Sequence, residues 1–110
     1  MKTFPRFPRE VVRRLEKGLR DLYGERFRGL LLYGSYARGE AREGSDVDLL
    51  LLLEGPVDPV REMLYLEDVK WPLSLEYDIV LSVMPVSFQD FQKAESLFLS
   101  AVREEAVPAA

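Results

Sequence analysis

The chain contains no cysteine and no histidine, and both absences limit the chemistry that it can perform. Disulfide bonds, thiolate zinc sites and catalytic systems that pair a serine or cysteine nucleophile with histidine are excluded. A metal site would therefore have to be built from oxygen ligands, a choice that favours Mg²⁺, Mn²⁺ or Ca²⁺.

The sequence also lacks an excess of positive charge and a long apolar run. Its formal net charge is −4, which argues against a nucleic-acid-binding module because such modules usually carry a basic excess. The apolar runs are shorter than the ~20 residues that a membrane span needs, and the first ten residues lack the apolar core of a signal peptide. We therefore expect a cytoplasmic protein with neither a membrane nor a nucleic acid as its partner.

What the chain does contain is enough apolar material for one hydrophobic core. Its 110 residues are the size of an ordinary domain, and 47% of them are hydrophobic. We expect a single domain over residues 1–110.

Apolar periodicity, together with punctuation by glycine and proline, predicts alternating helices and strands. In order, these are a helix over 8–24, a strand over 29–34, a short helix over 35–41, a strand over 47–53, a helix over 58–70, a strand over 74–83 and a helix from Ser87 onward. For residues 58–70 the pattern favours a helix over a loop, which is the alternative. Trp71-Pro72 is expected to end the third helix, because a residue before proline disfavours the helical conformation. The last residues, VPAA, are expected to fray. This order predicts an α/β (α+β) fold in which a small sheet is flanked by helices.

Two aspartates, Asp46 and Asp48, stand at the start of the predicted strand 47–53. Side chains two residues apart in a strand point to the same face, so the two carboxylates project together with Cβ atoms ~6–7 Å apart. Such a pair repels itself unless a cation lies between its members. Two carboxylates combined with substrate phosphates are usual ligands of Mg²⁺ in proteins, so both residues are candidate metal ligands.

A third acid, Asp78, lies within the predicted strand 74–83. If this strand neighbours the strand 47–53, three carboxylates converge on one face. Three carboxylates can hold two ions that clamp the attacking and leaving oxygens of a phosphoryl displacement. Glu76 lies on the same predicted face, so either Asp78 or Glu76 could be the third carboxylate.

Gly34-Ser35 stands ten residues before Asp46, where a strand is followed by a short helix. Glycine lets a phosphate approach the backbone closely, a helix start offers free N–H groups, and Ser35 adds a hydroxyl. Arg38 and Ser45 are further candidates for phosphate contact. Taken alone, each feature is more often a turn, a capped turn or a surface ion pair. Their conjunction at this spacing indicates a phosphate and metal site.

The stretch GSYARGEAREGSDVDLL, residues 34–50, resembles the signature of the polymerase-β-like nucleotidyltransferase superfamily. More narrowly, it is similar to the minimal nucleotidyltransferases of bacteria and archaea. The resemblance implies a palm-like fold and an attack by a substrate hydroxyl on the α-phosphate of a nucleoside triphosphate. It also implies Mg²⁺ as one ion or two, with Mn²⁺ as a substitute. The implied metal ligands are Asp46, Asp48 and Asp78, and the implied nucleotide-binding residues are Gly34, Ser35, Ser45 and Arg38.

The resemblance also implies partners. Members of this family often act as antitoxins to helical HEPN-type toxins, which they silence by transferring AMP from ATP to a tyrosine. ATP, or another nucleoside triphosphate, and a HEPN-type protein are therefore the expected partners. The residues themselves select neither the acceptor nor the nucleotide base, and they leave the oligomeric state open. Two other functions are compatible with the sequence: an antitoxin that acts by contact alone, and an accessory domain for antibiotic or RNA nucleotidylation.

Overall fold

The computed structural model of the chain describes residues 6–109. A four-stranded mixed sheet lies between two layers of helices, which confirms the predicted fold class. The strands are β1 (Phe27–Tyr33), β2 (Val47–Leu53), β3 (Leu81–Ser87) and β4 (Val107–Pro108), in the order β3-β2-β1-β4. The helices are α1 (Arg9–Tyr23), α2 (Gly34–Ala37), α3 (Pro59–Tyr77), α4 (Phe88–Lys93) and α5 (Leu97–Glu105). β1 pairs antiparallel with β2 and β4, and β2 pairs parallel with β3.

β2 is the centre of the hydrophobic core because it is buried on both of its faces. Leu49 and Leu51 point toward α1 and α3, whereas Leu50 and Leu52 point toward α4 and α5. Fully burying one leucine side chain contributes about 1.5–3 kcal/mol, so this run of leucines is a large part of what holds the two layers on the sheet.

The two helices of one layer, α1 and α3, approach each other closely at a glycine. A Cβ atom added to Gly18 of α1 would lie 2.5 Å from Cγ1 of Val69 of α3. α1 begins after Pro8 and ends at Gly24, as the sequence predicts. Glycine at position 18 therefore serves the packing of two helices, although it lowers the intrinsic stability of α1.

The predicted strand over 74–83 was wrong in its bounds. α3 continues through Trp71-Pro72 to Tyr77, and β3 begins only at Leu81. Pro72 is exposed, and because it has no N–H it cannot donate the usual helical hydrogen bond to the carbonyl of Asp68, which is exposed as well. Leu66 and Leu73, seven residues apart, are both buried against the sheet. This packing sustains the helix across the proline.

α3 also turns apolar side chains away from the core. Val60, Leu64, Trp71 and Leu75 follow one side of the helix and are 69%, 74%, 55% and 63% exposed. We call these four residues the α3 stripe. Although α3 is 19 residues long, its sequence is interrupted by charges, and no helix within residues 6–109 has the length and hydropathy of a membrane span.

Two predictions about the last part of the chain were wrong. The single helix expected from Ser87 is divided into α4 and α5, because Ala94 adopts a left-handed conformation and Ser96 caps a new helix. The tail does not fray within the described residues: Val107–Pro108 pairs with the edge of β1, and Ala109 is buried. Ser87 caps α4, because its hydroxyl oxygen accepts a hydrogen bond from the Asp90 N–H.

Candidate active site

The Gly34-Ser35 turn and the aspartate pair meet where β1 ends and β2 begins. Tyr33, the last residue of β1, is the partner of Asp48 in the antiparallel register. Gly34 has a φ of +75°, and a Cβ atom added there would overlap the Asp48 carboxylate and lie 3.0 Å from its Cγ. Two features therefore require glycine at this position: the positive φ of the backbone and the close approach of the Asp48 carboxylate.

Asp46 and Asp48 interact through their charges. Asp46 is exposed just before β2, and Asp48 is half-buried on the sheet face that α5 covers. Burial, followed by the like charge of Asp46, raises the pKa of the Asp48 carboxyl, while Arg38 opposes the shift. A cation shared by the two carboxylates would remove this repulsion. The donor set fits a hard divalent ion whose remaining ligands are phosphate oxygens or water.

Glu105, the last residue of α5, is a residue of this site that the sequence analysis missed. Its carboxylate accepts a hydrogen bond from the Gly34 N–H at 3.3 Å and another from the Arg38 guanidinium at 3.1 Å. Arg38, and then the Gly34 N–H, hold the pKa of the Glu105 carboxyl below its usual range. Glu105 lies 71 residues after Gly34, so no local motif could have pointed to it.

Arg38 is held at the site by two carboxylates. Its Nε donates to Glu40 at 3.1 Å, and its Nη1 donates to Glu105. Hydrogen bonds to Glu40 and Glu105 raise the pKa of the guanidinium. Arg38 is close enough to Asp48 to lower the pKa of that carboxyl, so it lies beside the aspartate pair as a permanent positive charge.

The two serines of the predicted site have different surroundings. Ser45 closes the turn before β2: its N–H donates to the Arg42 carbonyl at 2.9 Å, and its hydroxyl oxygen accepts from the Arg42 N–H at 2.8 Å. Ser45 thus shapes the turn that presents Asp46. Ser35 is half-buried in α2, directly after Gly34, and its carbonyl accepts from the Glu40 N–H at 2.8 Å.

The structure does not gather a third carboxylate with the first two. Asp78 is not in the middle of a strand as predicted; it is the exposed, left-handed C-cap residue of α3. A hydrogen bond of 2.9 Å from the Val47 N–H to the Val80 carbonyl places Asp78 near the edge of the sheet where β2 starts. Glu76 instead pairs with Arg14 of α1. Within residues 6–109, no group of three acidic side chains is arranged to hold a metal ion.

The sheet face beside Asp48 carries polar and aromatic groups. Ser82 of β3 is the parallel partner of Asp48 and is exposed. Tyr33 contacts Phe98 of α5 edge-on, with ring centroids 5.9 Å apart. Burial, and then the charges of Asp48 and Glu105, raise the pKa of the Tyr33 hydroxyl. Four of the residues that the sequence predicts for the site lie together where β1 ends and β2 begins: Gly34, Arg38, Asp46 and Asp48. Asp78 stands apart from them.

The sequence of the chain is similar to those of known proteins. The family described as the nucleotidyltransferase domain matches residues 12–107. Two proteins of Methanocaldococcus jannaschii, each named "putative protein adenylyltransferase", are 32% identical to the chain over 73 and 84 residues. These alignments cover 66% and 76% of the chain and 73% and 78% of the two relatives.

Two solved structures share the fold of the chain. A crystal structure of a toxin–antitoxin with AMP-PNP superposes with a TM-score of 0.64 at 18% identity, over 90% of this chain and 72% of that one. A crystal structure of a mutant of the toxin–antitoxin MntA-HpeT superposes with a TM-score of 0.61 at 15% identity, over 90% and 71% of the two chains.

Proposed function

The chain belongs to the nucleotidyltransferase domain family, and from that premise we propose that it transfers AMP from ATP, with Mg²⁺, to a hydroxyl group of a partner protein. Nucleotidyl transfer is the reaction of the family; the nucleotide, the metal and the acceptor are the proposal. The observation that carries it is the packing of Gly34 on Asp48. In support of the proposal, Gly34, one of the proposed phosphate donors, lies against Asp48, one of the two carboxylates proposed to hold a divalent ion.

In the proposed reaction, the acceptor oxygen bonds to the α-phosphorus of ATP, and the bond from that phosphorus to the bridging oxygen of pyrophosphate breaks. Asp46 and Asp48 would hold Mg²⁺, which supplies neutralisation of the charge on the phosphates. Asp78 stands apart from this pair, near the edge of the sheet where β2 starts, and is the proposed third carboxylate, which would take up the proton of the acceptor hydroxyl. Because such transfers depend on positioning and charge, the lack of histidine is no obstacle.

The triphosphate is proposed to bind at Gly34, Ser35 and Arg38. Support comes from Glu105, whose carboxylate already receives hydrogen bonds from the Gly34 N–H and the Arg38 guanidinium. Two donors that stand four residues apart, at the start and at the end of α2, therefore point at one negatively charged oxygen group. Ser45 is proposed to add its hydroxyl proton as a further donor, since its oxygen is the part used in the turn.

The proposed acceptor is a tyrosine of a HEPN-type helical toxin, which would make the chain an antitoxin of the cytoplasm. Two relatives carry names that describe transfer of AMP to proteins, and two structures of the same fold are toxin–antitoxin proteins, one of them with AMP-PNP. Similarity of fold does not identify the partner, and the acceptor is therefore identified by a labelling experiment.

A second function, neutralisation of the partner by contact alone, is favoured by two observations. Asp78 is not grouped with Asp46 and Asp48, and the α3 stripe offers an apolar surface to a partner. Under this hypothesis the site would be dispensable for antitoxin activity.

The two functions are separated by labelling. The purified protein, with Mg²⁺ and ATP labelled at the α-phosphate, is mixed with lysate of its source or with a helical protein encoded beside it. The Asp46→Asn/Asp48→Asn variant is compared with Asp21→Asn/Glu25→Gln, which removes the same charge from exposed positions of α1 and the following turn. We expect label on a protein band with the wild type and the control but not with the site variant. Absence of label from all three, despite a stable complex with the partner, would favour the contact-only function.

A further inference from the structure

The carboxylate of Glu105 occupies two of the hydrogen-bond donors that the proposed function assigns to the triphosphate, the Gly34 N–H and the Arg38 guanidinium. We propose, on the basis of that function, that Glu105 determines the affinity of the site for phosphates. In the nucleotide-free protein its side chain fills the position of a phosphate, and it has to leave when a triphosphate binds. Nothing in the proposed reaction itself requires a carboxylate at this point.

The geometry of the contact is that of a bound oxyanion. Oε1 of Glu105 receives the Gly34 N–H at 3.3 Å and Arg38 Nη1 at 3.4 Å, while Oε2 receives the same Nη1 at 3.1 Å. Backbone N–H groups and guanidinium groups bind carboxylates and phosphates through the same charge-assisted hydrogen bonds. A phosphate oxygen can use these donors only after the carboxylate has moved away.

The charges around the site favour the same conclusion. Arg38 donates hydrogen bonds to both Glu105 and Glu40. Asp48 is close enough to Asp46, Arg38 and Glu105 for their charges to act on it. Among residues 6–109, Arg38 is the one cation whose charge acts on Asp48 or Glu105, whereas four carboxylates lie in this region, those of Glu105, Glu40, Asp48 and Asp46. A polyanion that entered with Glu105 in place would meet a net negative surface, and removing one carboxylate therefore raises its affinity.

Glu105 can leave without unfolding the end of the chain. Its side chain is 27% exposed, so a rotation can carry the carboxylate into water. The backbone on either side is fixed by other bonds: the Ala106 N–H donates to Val102 at 2.8 Å, and Val107 pairs with Leu32 of β1. The displaced element is one side chain, and α5 and β4 stay in position.

The test measures binding of two probes by calorimetry, inorganic tripolyphosphate and ATP, each with Mg²⁺. The variants are Glu105→Gln, which removes the charge, and Glu105→Ala, which removes the occupant. Glu104→Gln is the matched control, because it removes one negative charge from the neighbouring exposed residue of α5. We expect Glu105→Ala to bind tripolyphosphate about tenfold more tightly than Glu104→Gln does, since a charged hydrogen-bonded competitor has been removed. Glu105→Gln is expected to lie between them.

A gain in affinity cannot result from misfolding, so the expected result is unambiguous. Equal or weaker binding by both Glu105 variants, relative to Glu104→Gln, would overturn the proposal and make Glu105 a residue that positions Arg38. Failure of every variant to bind tripolyphosphate would also overturn it, because removal of the occupant would then have exposed no anion site. Tighter tripolyphosphate binding by the Glu105 variants without any AMP transfer would support this inference and refute the proposed function. AMP transfer with an unchanged affinity for tripolyphosphate would support the proposed function and refute this inference.

Discussion

Gly34 and Asp48 are in direct contact across the β1–β2 pair: a Cβ atom on Gly34 would overlap the carboxylate and lie 3.1 Å from the Cβ of Asp48. The sequence signature has two parts, Gly34-Ser35 and Asp46–Asp48, and the segment that carries Arg38 and Ser45 lies between them in the sequence. The two parts pack against each other in the structure. A change in either residue is therefore expected to disturb the other.

Replacing Gly34 with alanine should lower both stability and AMP transfer. The φ of +75° costs an alanine about 1 kcal/mol, and the overlap with Asp48 adds to that cost. Gly39→Ala is the matched control, because Gly39 has a φ of +71° with nothing within 4 Å of an added Cβ. Chemical denaturation should give a loss for Gly34→Ala that exceeds the control by at least about 1 kcal/mol. Equal losses would mean that Asp48 moves aside without cost.

Asp48→Asn should separate stability from ligand binding. The substitution removes a carboxylate whose pKa is raised by burial and by Asp46, so the melting temperature without ligand should stay constant or rise. Mg²⁺ and ATP together should raise the melting temperature of the wild type, by about 4–8 °C for each kcal/mol of binding energy, but not that of the variant. A variant that melts lower than the wild type without ligand would indicate a structural role for Asp48.

The third carboxylate can be identified by comparing Asp78→Asn with Glu76→Gln. Asparagine tolerates the left-handed conformation of residue 78, which has a φ of 51°, so the helix end should be preserved. We expect AMP transfer to fall at least about tenfold for Asp78→Asn, a loss of ~1.4 kcal/mol in transition-state stabilisation. Glu76→Gln weakens only an exposed pair with Arg14 and should retain transfer. The opposite ranking would assign the role to Glu76.

Tyr23→Phe should change how stability depends on alkaline pH. Tyr23 is buried, and its hydroxyl donates to Glu62 at 3.2 Å. Burial, and then the charge of Glu62, raise the pKa of Tyr23 above its usual value. The folded protein therefore binds this proton more tightly than the unfolded chain. The stabilisation is complete below the unfolded pKa of about 10 and is lost as the pH rises toward the folded pKa.

The free energy of unfolding of the wild type should accordingly fall above about pH 10, and the fall should be smaller in Tyr23→Phe. At neutral pH the variant should be less stable by about 1–3 kcal/mol, because the buried Glu62 loses a donor. Tyr65→Phe, at a half-exposed neighbour of Tyr23, serves as the control and should keep the alkaline slope. Identical slopes in wild type and Tyr23→Phe would refute the assignment.

Gly18→Ala tests the approach of α1 to α3. Alanine favours a helix interior over glycine by about 1 kcal/mol, yet the added Cβ would lie 2.5 Å from Cγ1 of Val69. We expect a net destabilisation of about 1–3 kcal/mol in the single variant, as for other overpacked cores. Adding Val69→Ala should recover part of this loss, and a double-mutant cycle measures the coupling. Additive effects would show that the two residues do not limit the distance between the helices.

The sequence predicts best those parts of the fold that depend on neighbours along the chain. β2 is predicted to the residue, because its short apolar run is bounded by Gly44 and Gly55, and such punctuation favours a buried strand over a helix. The meeting of Gly34 with Asp48 also follows from a signature of short span. α3 was misjudged because burial of Leu66 and Leu73 outweighs the local effect of Pro72. Glu105 could not be found, since only the packing of α5 on the sheet brings it to Gly34.

Trp71, a residue of the α3 stripe, is an intrinsic fluorescence probe of that surface. Trp71 is the single tryptophan of the chain and is 55% exposed. α3 packs on the sheet face opposite the one that carries Asp48 and α5. The fluorescence emission of Trp71 should therefore shift to the blue when another molecule covers α3, and should change little when a nucleotide binds beside Asp48. Tryptophan fluorescence alone can then tell association at the helical surface from events at the carboxylates.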